Sequence, residues 1–378
     1  MSEHPSEDGT GITERPVRPR RRPSAGWLVG GAAAVAAVGL GIAALVVALN
    51  DSDNTTPAAS SAANASSEAT CSATTIAERE LPSVVTIKVS GADASGTGSG
   101  EVIDDSGHIL TNNHVIAAAA TGGMIQVVFS DGQAEAAKLI GRDPQTDVAV
   151  LQVADGSAHR PIAFGSSADL QVGQPVVALG APLGLSSTVT TGIVSALDRS
   201  IDVPADNGKT AILVAAVQTD AAINPGNSGG ALVNCAGQLV GVPSAGASVP
   251  TGDGGSSAGS IGIGFAIPSD FAKSIASELI ANGSINHGYF GLSVTTVAAA
   301  GKAPAQTGLY VTSVTPGGPA QQAGLRAGDV ITDIDGSPVT SAEQLLTLTL
   351  TNRPGDVVPM TYERQNATAQ ARVTLGSA

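Results

Sequence analysis

From residue 81 onward the chain is a succession of short apolar runs separated by turn residues, a spacing that excludes a helical bundle. SVVTIKV (83–89), GHILTNNHVI (107–116), MIQVVF (124–129), DVAVLQV (147–153), QPVVALG (174–180), TVTTGIVSAL (188–197), ILVAAVQT (212–219) and IGFAI (263–267) each have the length of a strand. They are rich in β-branched residues, which suit a pleated, half-buried surface. Many such runs at close spacing predict a barrel or sandwich. The 47 glycines and 21 prolines supply the turns, and with only nine aromatic residues the core must be built from Val, Ala, Leu and Ile. One helix is expected at 269–283, with Ser269 able to cap it and Gly283 able to end it. It closes a first domain at 75–283 and leaves 285–378 as a second compact module.

The N-terminal part reads differently. Residues 27–49 carry no charge, and as a helix they would span about 35 Å, enough to cross a bilayer. Arg15, Arg18, Arg20, Arg21 and Arg22 precede this run, and Asp51 and Asp53 follow it. The positive-inside rule then makes 1–26 a cytoplasmic tail and 27–49 a single transmembrane helix, with everything beyond it extracytoplasmic. A cleaved signal peptide is the other reading, although the run exceeds the usual ~7–15 residues and no small-x-small site follows directly. Residues 50–74 are expected to be a flexible linker, small and polar without an apolar face. Cys71 and Cys235 are the only cysteines and lie on the outer side in this topology, where they form either one disulfide or two buried thiols. A net charge of −14 argues against a nucleic-acid partner, which requires a basic stripe.

The chemistry concentrates in Asn224-Pro225-Gly226-Asn227-Ser228-Gly229-Gly230. A serine among glycines sits on a tight turn with its hydroxyl presented and backbone N–H groups aimed at one point, as an oxyanion hole requires. It is equally the sequence of a plain turn, and a serine needs a base to become a nucleophile. Of five histidines, His4 lies in the tail, His108 in an expected turn, and His159 and His287 in connections expected to be solvated. His114 ends the run ILTNN, as a core histidine or a catalytic base. Asp147 opens the buried run VAVLQV and needs a partner there, for which His114 is the candidate, whereas Asp143 reads as a turn former. No clustered ligand spacing calls for a metal, and the chemistry needs no organic cofactor. GTGSG (96–100) lacks the Lys-Ser/Thr of a phosphate loop and reads as a turn before a strand.

TNNHV (111–115), TDVAVL (146–151) and QTDAAINPGNSGGALVN (218–234), in the order His, Asp, Ser, closely resemble the HtrA (Deg) family of serine proteases. LPSVVTI (81–87), LGAPLGL (179–185), TVTTGIVSALDR (188–199) and GIGFAIP (262–268) extend the resemblance over about residues 75–283. It implies a chymotrypsin-like double β-barrel with the active site in the cleft, His114 as base, Asp147 as its orienting partner and Ser228 as nucleophile. The N–H groups of Gly226 and Ser228 would be the oxyanion donors. Ala222 stands where an acid would select basic side chains, so the specificity pocket is expected to be apolar, with Ile223 and Ile263 as walls. The stretch 242–260 is either a surface loop or the family's activation loop.

GYFGLSV (288–294) and AGLRAGDVITDIDGSPV (323–339) resemble a PDZ domain of HtrA type. That implies a carboxylate-binding loop at Tyr289, Phe290, Gly291 and Leu292 that receives C-terminal peptides by strand addition; the alternative is a module that only packs on its neighbour. Family trimers use aromatic residues ahead of the protease domain, and 71–83 contains none, so a homotrimer is possible but loses that support. The expectation is a membrane-anchored extracytoplasmic serine endopeptidase acting on misfolded or regulatory envelope proteins. The rival is a non-catalytic chaperone or PDZ adaptor on the same scaffold.

Overall fold

The computed structural model describes residues 71–377 apart from 93, 155–158, 182–186, 206–209, 247–258 and 299–306. The expected tail, transmembrane helix, most of the linker and most of the loop at 242–260 lie outside the described residues. The described chain starts with helix α1 (Ala73–Glu80), which accepts its cap from the Ser72 side chain. Residues 71–74 therefore belong to the folded body and not to the linker assigned to them. Cys71 is bonded to Cys235 across a Cα–Cα distance of 4.8 Å, and Arg79 reaches the Ala236 carbonyl beside it.

Seven antiparallel strands follow: β1 (Val84–Ser90), β2 (Ser95–Val102), β3 (His108–Asn112), β4 (Met124–Val128), β5 (Ala134–Ala136), β6 (Lys138–Asp143) and β7 (Val148–Gln152). Their spatial order is β5-β4-β1-β2-β3-β7-β6. Hydrogen bonding leaves this sheet open between β5 and β6. The second set does close: β8 (Pro175–Gly180), β9 (Thr188–Pro204), β10 (Thr210–Thr219), β11 (Ala231–Val233), β12 (Leu239–Gly246) and β13 (Gly264–Pro268) form a barrel. A one-turn helix α2 (Asn113–Ile116) follows β3, and α3 (Ser269–Asn282) follows β13.

Period-two alternation on β2 feeds two cores. Val102 packs with Ile87, Ile109 and Leu151 inside the first sheet. Val84 and Leu110, the partners across from Glu101, face a second core shared with Val177, Leu179, Ile267 and the α3 residues Ile275 and Leu279. Each such Leu, Ile or Val contributes about 1.5–3 kcal/mol on burial, so the two sheets are joined by a continuous apolar interface. Ser269 does not cap α3, because its hydroxyl donates to the Gly165 carbonyl at 3.0 Å. Pro268 occupies the cap position, and Gly283 ends the helix at φ +72°, where a side chain would be strained.

The last module holds β14 (Gly288–Tyr289), β15 (Leu292–Thr296), β16 (Leu309–Val314), helix α4 (Pro319–Gln322), β17 (Val330–Ile334), β18 (Ser337–Pro338), helix α5 (Ala342–Thr351), β19 (Val357–Arg364), β20 (Ala367–Thr374) and β21 (Gly376–Ser377). Its main sheet runs β15-β16-β17-β19-β20 around a separate core that includes Leu309, Ile331, Met360 and Val373. Two polar contacts tie this module to the first part. His287 Nε2 meets Asp143 Oδ2 at 2.7 Å, with the two side chains 2% and 3% exposed, and Arg353 Nε donates to Glu278 Oε2 at 2.6 Å. His287 is thus buried, contrary to its expected solvation, because Asp143 and the Leu350 carbonyl (3.0 Å from Nδ1) both receive it. His159 is half-buried: its ring stacks on Phe129 with centroids 3.4 Å apart, and its Nε2 lies 3.2 Å from Glu135 Oε1.

Candidate active site

Antiparallel pairing of β3 with β7 sets Asn112 opposite Val148, and this brings the start of α2 beside Asp147. Asp147 sits at φ +60°, an unusual conformation for a residue other than glycine. Its backbone carbonyl accepts from Asn113 N at 3.1 Å and from Asn112 Nδ2 at 3.0 Å. Its carboxylate accepts the His114 backbone N–H at 2.9 Å and faces His114 Nδ1 at 2.9 and 3.1 Å. Asp147 is sealed, with a side chain 2% exposed, while the imidazole is 36% exposed. With Nδ1–H committed to the carboxylate, Nε2 is left as the acceptor facing outward, the tautomer a general base requires.

The loop carrying Ser228 lies between β10 and β11 and rests on β2 and β3 of the other sheet. Ser99 N donates to the Ser228 carbonyl at 2.9 Å. Gly229 (φ +80°) approaches so closely that a Cβ there would stand 2.3 Å from both the Ser99 carbonyl and Thr111 Oγ1. The glycines that flagged the loop are therefore needed for contact between the sheets as well as for the turn. Among the described residues neither the Gly226 nor the Ser228 N–H has a hydrogen-bond partner, so both are free to donate.

Ser244 on β12, which no motif marks, joins the pieces. Its hydroxyl donates to Asp147 Oδ2 at 2.6 Å, and its carbonyl accepts from Ser228 Oγ at 3.3 Å. Among the described residues the Ser228 hydroxyl makes this bond and none to His114. The signal that could have found Ser244 is its place in a strand of apolar residues, where a buried hydroxyl must have a partner.

Of the expected specificity residues, Ile223 is 4% exposed and packs in the core of the second barrel with Val217 and Ala266, so it is no open wall. Ala222 and Ile263 are partly exposed. The Ala222 carbonyl accepts from Thr190 Oγ1 at 3.0 Å. The Asp220 carboxylate receives the Ile193 N–H at 2.7 Å and so holds β9. In the last module, the Phe290 and Gly291 carbonyls are taken by Ala320 N at 2.9 Å and Thr315 N at 2.8 Å. Tyr289 Oη meets Thr315 Oγ1 at 2.8 Å, and Leu292 opens β15. Both carbonyls are thus engaged within the module, while Tyr289 pairs with Gly376 and Leu292 with Val314.

A family model for a trypsin-like peptidase domain matches residues 98–242, and one for a PDZ domain matches 260–375. The chain is 42% identical to the serine protease PepD of Mycobacterium tuberculosis, over 97% of this chain and 81% of that protein. It is 38% identical to the periplasmic pH-dependent serine endoprotease DegQ of Escherichia coli, over 79% of this chain and 69% of that one. Among solved structures it resembles the HtrA-type protease AlgW with a tripeptide at 33% identity and a TM-score of 0.67, covering 81% of this chain and 97% of that one.

Proposed function

This chain belongs to the HtrA (Deg) family of serine proteases, a serine endopeptidase with a trypsin-like domain and a PDZ domain, and on that basis we propose that Ser228, His114 and Asp147 form its catalytic triad. Ser228 Oγ attacks the scissile carbonyl while His114 Nε2 takes its proton. Asp147 holds the ring and stabilises the imidazolium, and the same proton then goes to the leaving amine. The Gly226 and Ser228 N–H groups receive the oxyanion, and water releases the acyl group. One observation carries this reading: a single buried carboxylate receives His114 and, through Ser244, is connected to the Ser228 hydroxyl. In an unliganded site, nucleophile–base contacts are commonly looser than in the substrate complex.

The match to a PDZ domain, with the turn at Tyr289–Leu292 leading into β15 and held by its Phe290 and Gly291 carbonyls, supports binding of C-terminal peptides beside β15. The uncharged run at 27–49 and its arginine flank support a single-pass anchor with the catalytic domain extracytoplasmic. Substrates would then be misfolded or regulatory envelope proteins, in keeping with a role in stress response and protein quality control. The central test is Ser228→Ala, which should abolish casein cleavage and labelling by a fluorophosphonate probe together. Undiminished cleavage by that variant would overturn the assignment, and loss of labelling with casein protected from aggregation would point to a chaperone function on the same surface.

A further inference from the structure

The two carbonyls that flank the oxyanion loop are both held by one residue of the opposite sheet. Ser99 N donates to the Ser228 carbonyl at 2.9 Å, and Ser99 Oγ donates to the Gly226 carbonyl at 2.6 Å. A serine hydroxyl has one proton to give. Here the oxygen accepts the Ala181 N–H at 2.8 Å, so its proton is directed to Gly226. The Ser99 carbonyl is itself held by Thr111 Oγ1 at 2.6 Å, and the residue is fully buried. On the other side of the same peptide group, Asn227 N donates to the Asn224 carbonyl at 3.0 Å. The Gly226–Asn227 peptide is thus pinned at its carbonyl by Ser99 and at its N–H by the loop. Gly226 (φ +100°) has no side chain to resist rotation if the carbonyl end is freed.

We propose that Ser99 is a positioning residue for the oxyanion hole: from the first sheet, its hydroxyl locks the peptide that sets the aim of the Gly226 and Ser228 N–H groups. The proposal rests on the triad and oxyanion reading above and adds to it that the donors are aimed by the neighbouring sheet, not by their own loop alone. Preorganised donors act in the transition state and hardly in the ground state. Loss of the lock should therefore lower kcat and leave KM nearly unchanged.

The test compares Ser99→Ala with Thr86→Val in the full chain. Thr86 is a matched control: it is buried and its hydroxyl donates to the Ala181 carbonyl at 2.6 Å, so it grips the same neighbour without touching Gly226. In Ser99→Ala, kcat on a short chromogenic peptide should fall about 10- to 100-fold, less than the about 100- to 1000-fold expected for a lost donor. KM should stay within about twofold, and affinity for a peptidyl-valine boronic acid, whose adduct places an oxyanion in the hole, should fall by the same factor as kcat/KM. Thr86→Val should lose thermal stability while keeping kcat and boronate affinity. Should Ser99→Ala fail to fold, Ser99→Cys keeps the shape with a weak donor and should give an intermediate loss. Wild-type kcat and boronate affinity in either Ser99 variant, or an equal loss of kcat in Thr86→Val, would overturn the proposal. Fluorophosphonate labelling of Ser228 in the unmutated protein separates the two readings: without it the triad and the proposal fall together, and with it an unaffected Ser99 variant removes the proposal alone.

Discussion

Gly229 shows how narrowly Ser228 is placed. Its backbone is in a left-handed conformation, and a methyl group at its Cα would run into two oxygens of the neighbouring sheet. Gly229→Ala should therefore cost about 3 kcal/mol or more from backbone strain and forced displacement together. A urea titration should show the lowered midpoint, and proteolytic rate should fall further than the folded fraction. The contact of His114 with Asp147 and the tight turn at Ser228 were legible because each residue lies in a local motif that signals its own surroundings: a polar residue at a strand end, an acid before an apolar run, a serine between glycines. Ser99 and Ser244 were not, because a hydroxyl's importance depends on which oxygen the tertiary fold sets opposite it. His287 was misread for the same reason. Its glycine-bearing neighbourhood suggests solvent, whereas its partner Asp143 lies 144 positions away.

Strand β2 carries an unusual feature beyond its contacts with the serine loop. Glu101 is fully buried between Val84 and Leu110, and neither of its oxygens has a hydrogen-bond partner in the structure. Burial raises its pKa well above the usual carboxylate range. The folded state therefore holds this proton to higher pH than the unfolded chain does. Its contribution is complete below the unfolded value near pH ~4.3 and is lost as pH rises toward the folded one. Glu101→Gln should remove that pH dependence: the denaturation midpoint of the variant should exceed that of the unmodified protein at pH 8, with the gap shrinking at pH 4. Equal midpoints at both pH values would show that the carboxyl is not buried in solution. At this level the strands themselves were readable from periodicity, because most expected runs coincide with a strand. The opening between β5 and β6 was not, since closure depends on shear between strands and leaves no mark in any one of them.

Across the whole molecule, the PDZ module meets the protease where Asp143 receives His287, four residues before Asp147. The Asp143 carboxylate also accepts from Gln145 N at 3.1 Å and from the Thr146 hydroxyl, so it shapes the turn that leads to Asp147. Removing His287 takes one buried donor from a carboxylate that keeps two others, a loss of about 1–3 kcal/mol. His287→Ala should accordingly lower the unfolding temperature and separate a PDZ transition from the protease transition in calorimetry, while His287→Gln, which retains a donor, should recover part of the loss. A single unshifted transition in His287→Ala would show that the contact contributes nothing. The domain order was legible from two separate sets of motifs, but the contact between them was not, because it joins one residue from each. The bond between Cys71 and Cys235 has a mechanical result. Tension on the chain that precedes Cys71 enters the second barrel through the sulfur bridge, so α1 is bypassed and cannot be peeled off residue by residue. Such a load would reach the protease domain through its own barrel and not through the helix that begins it.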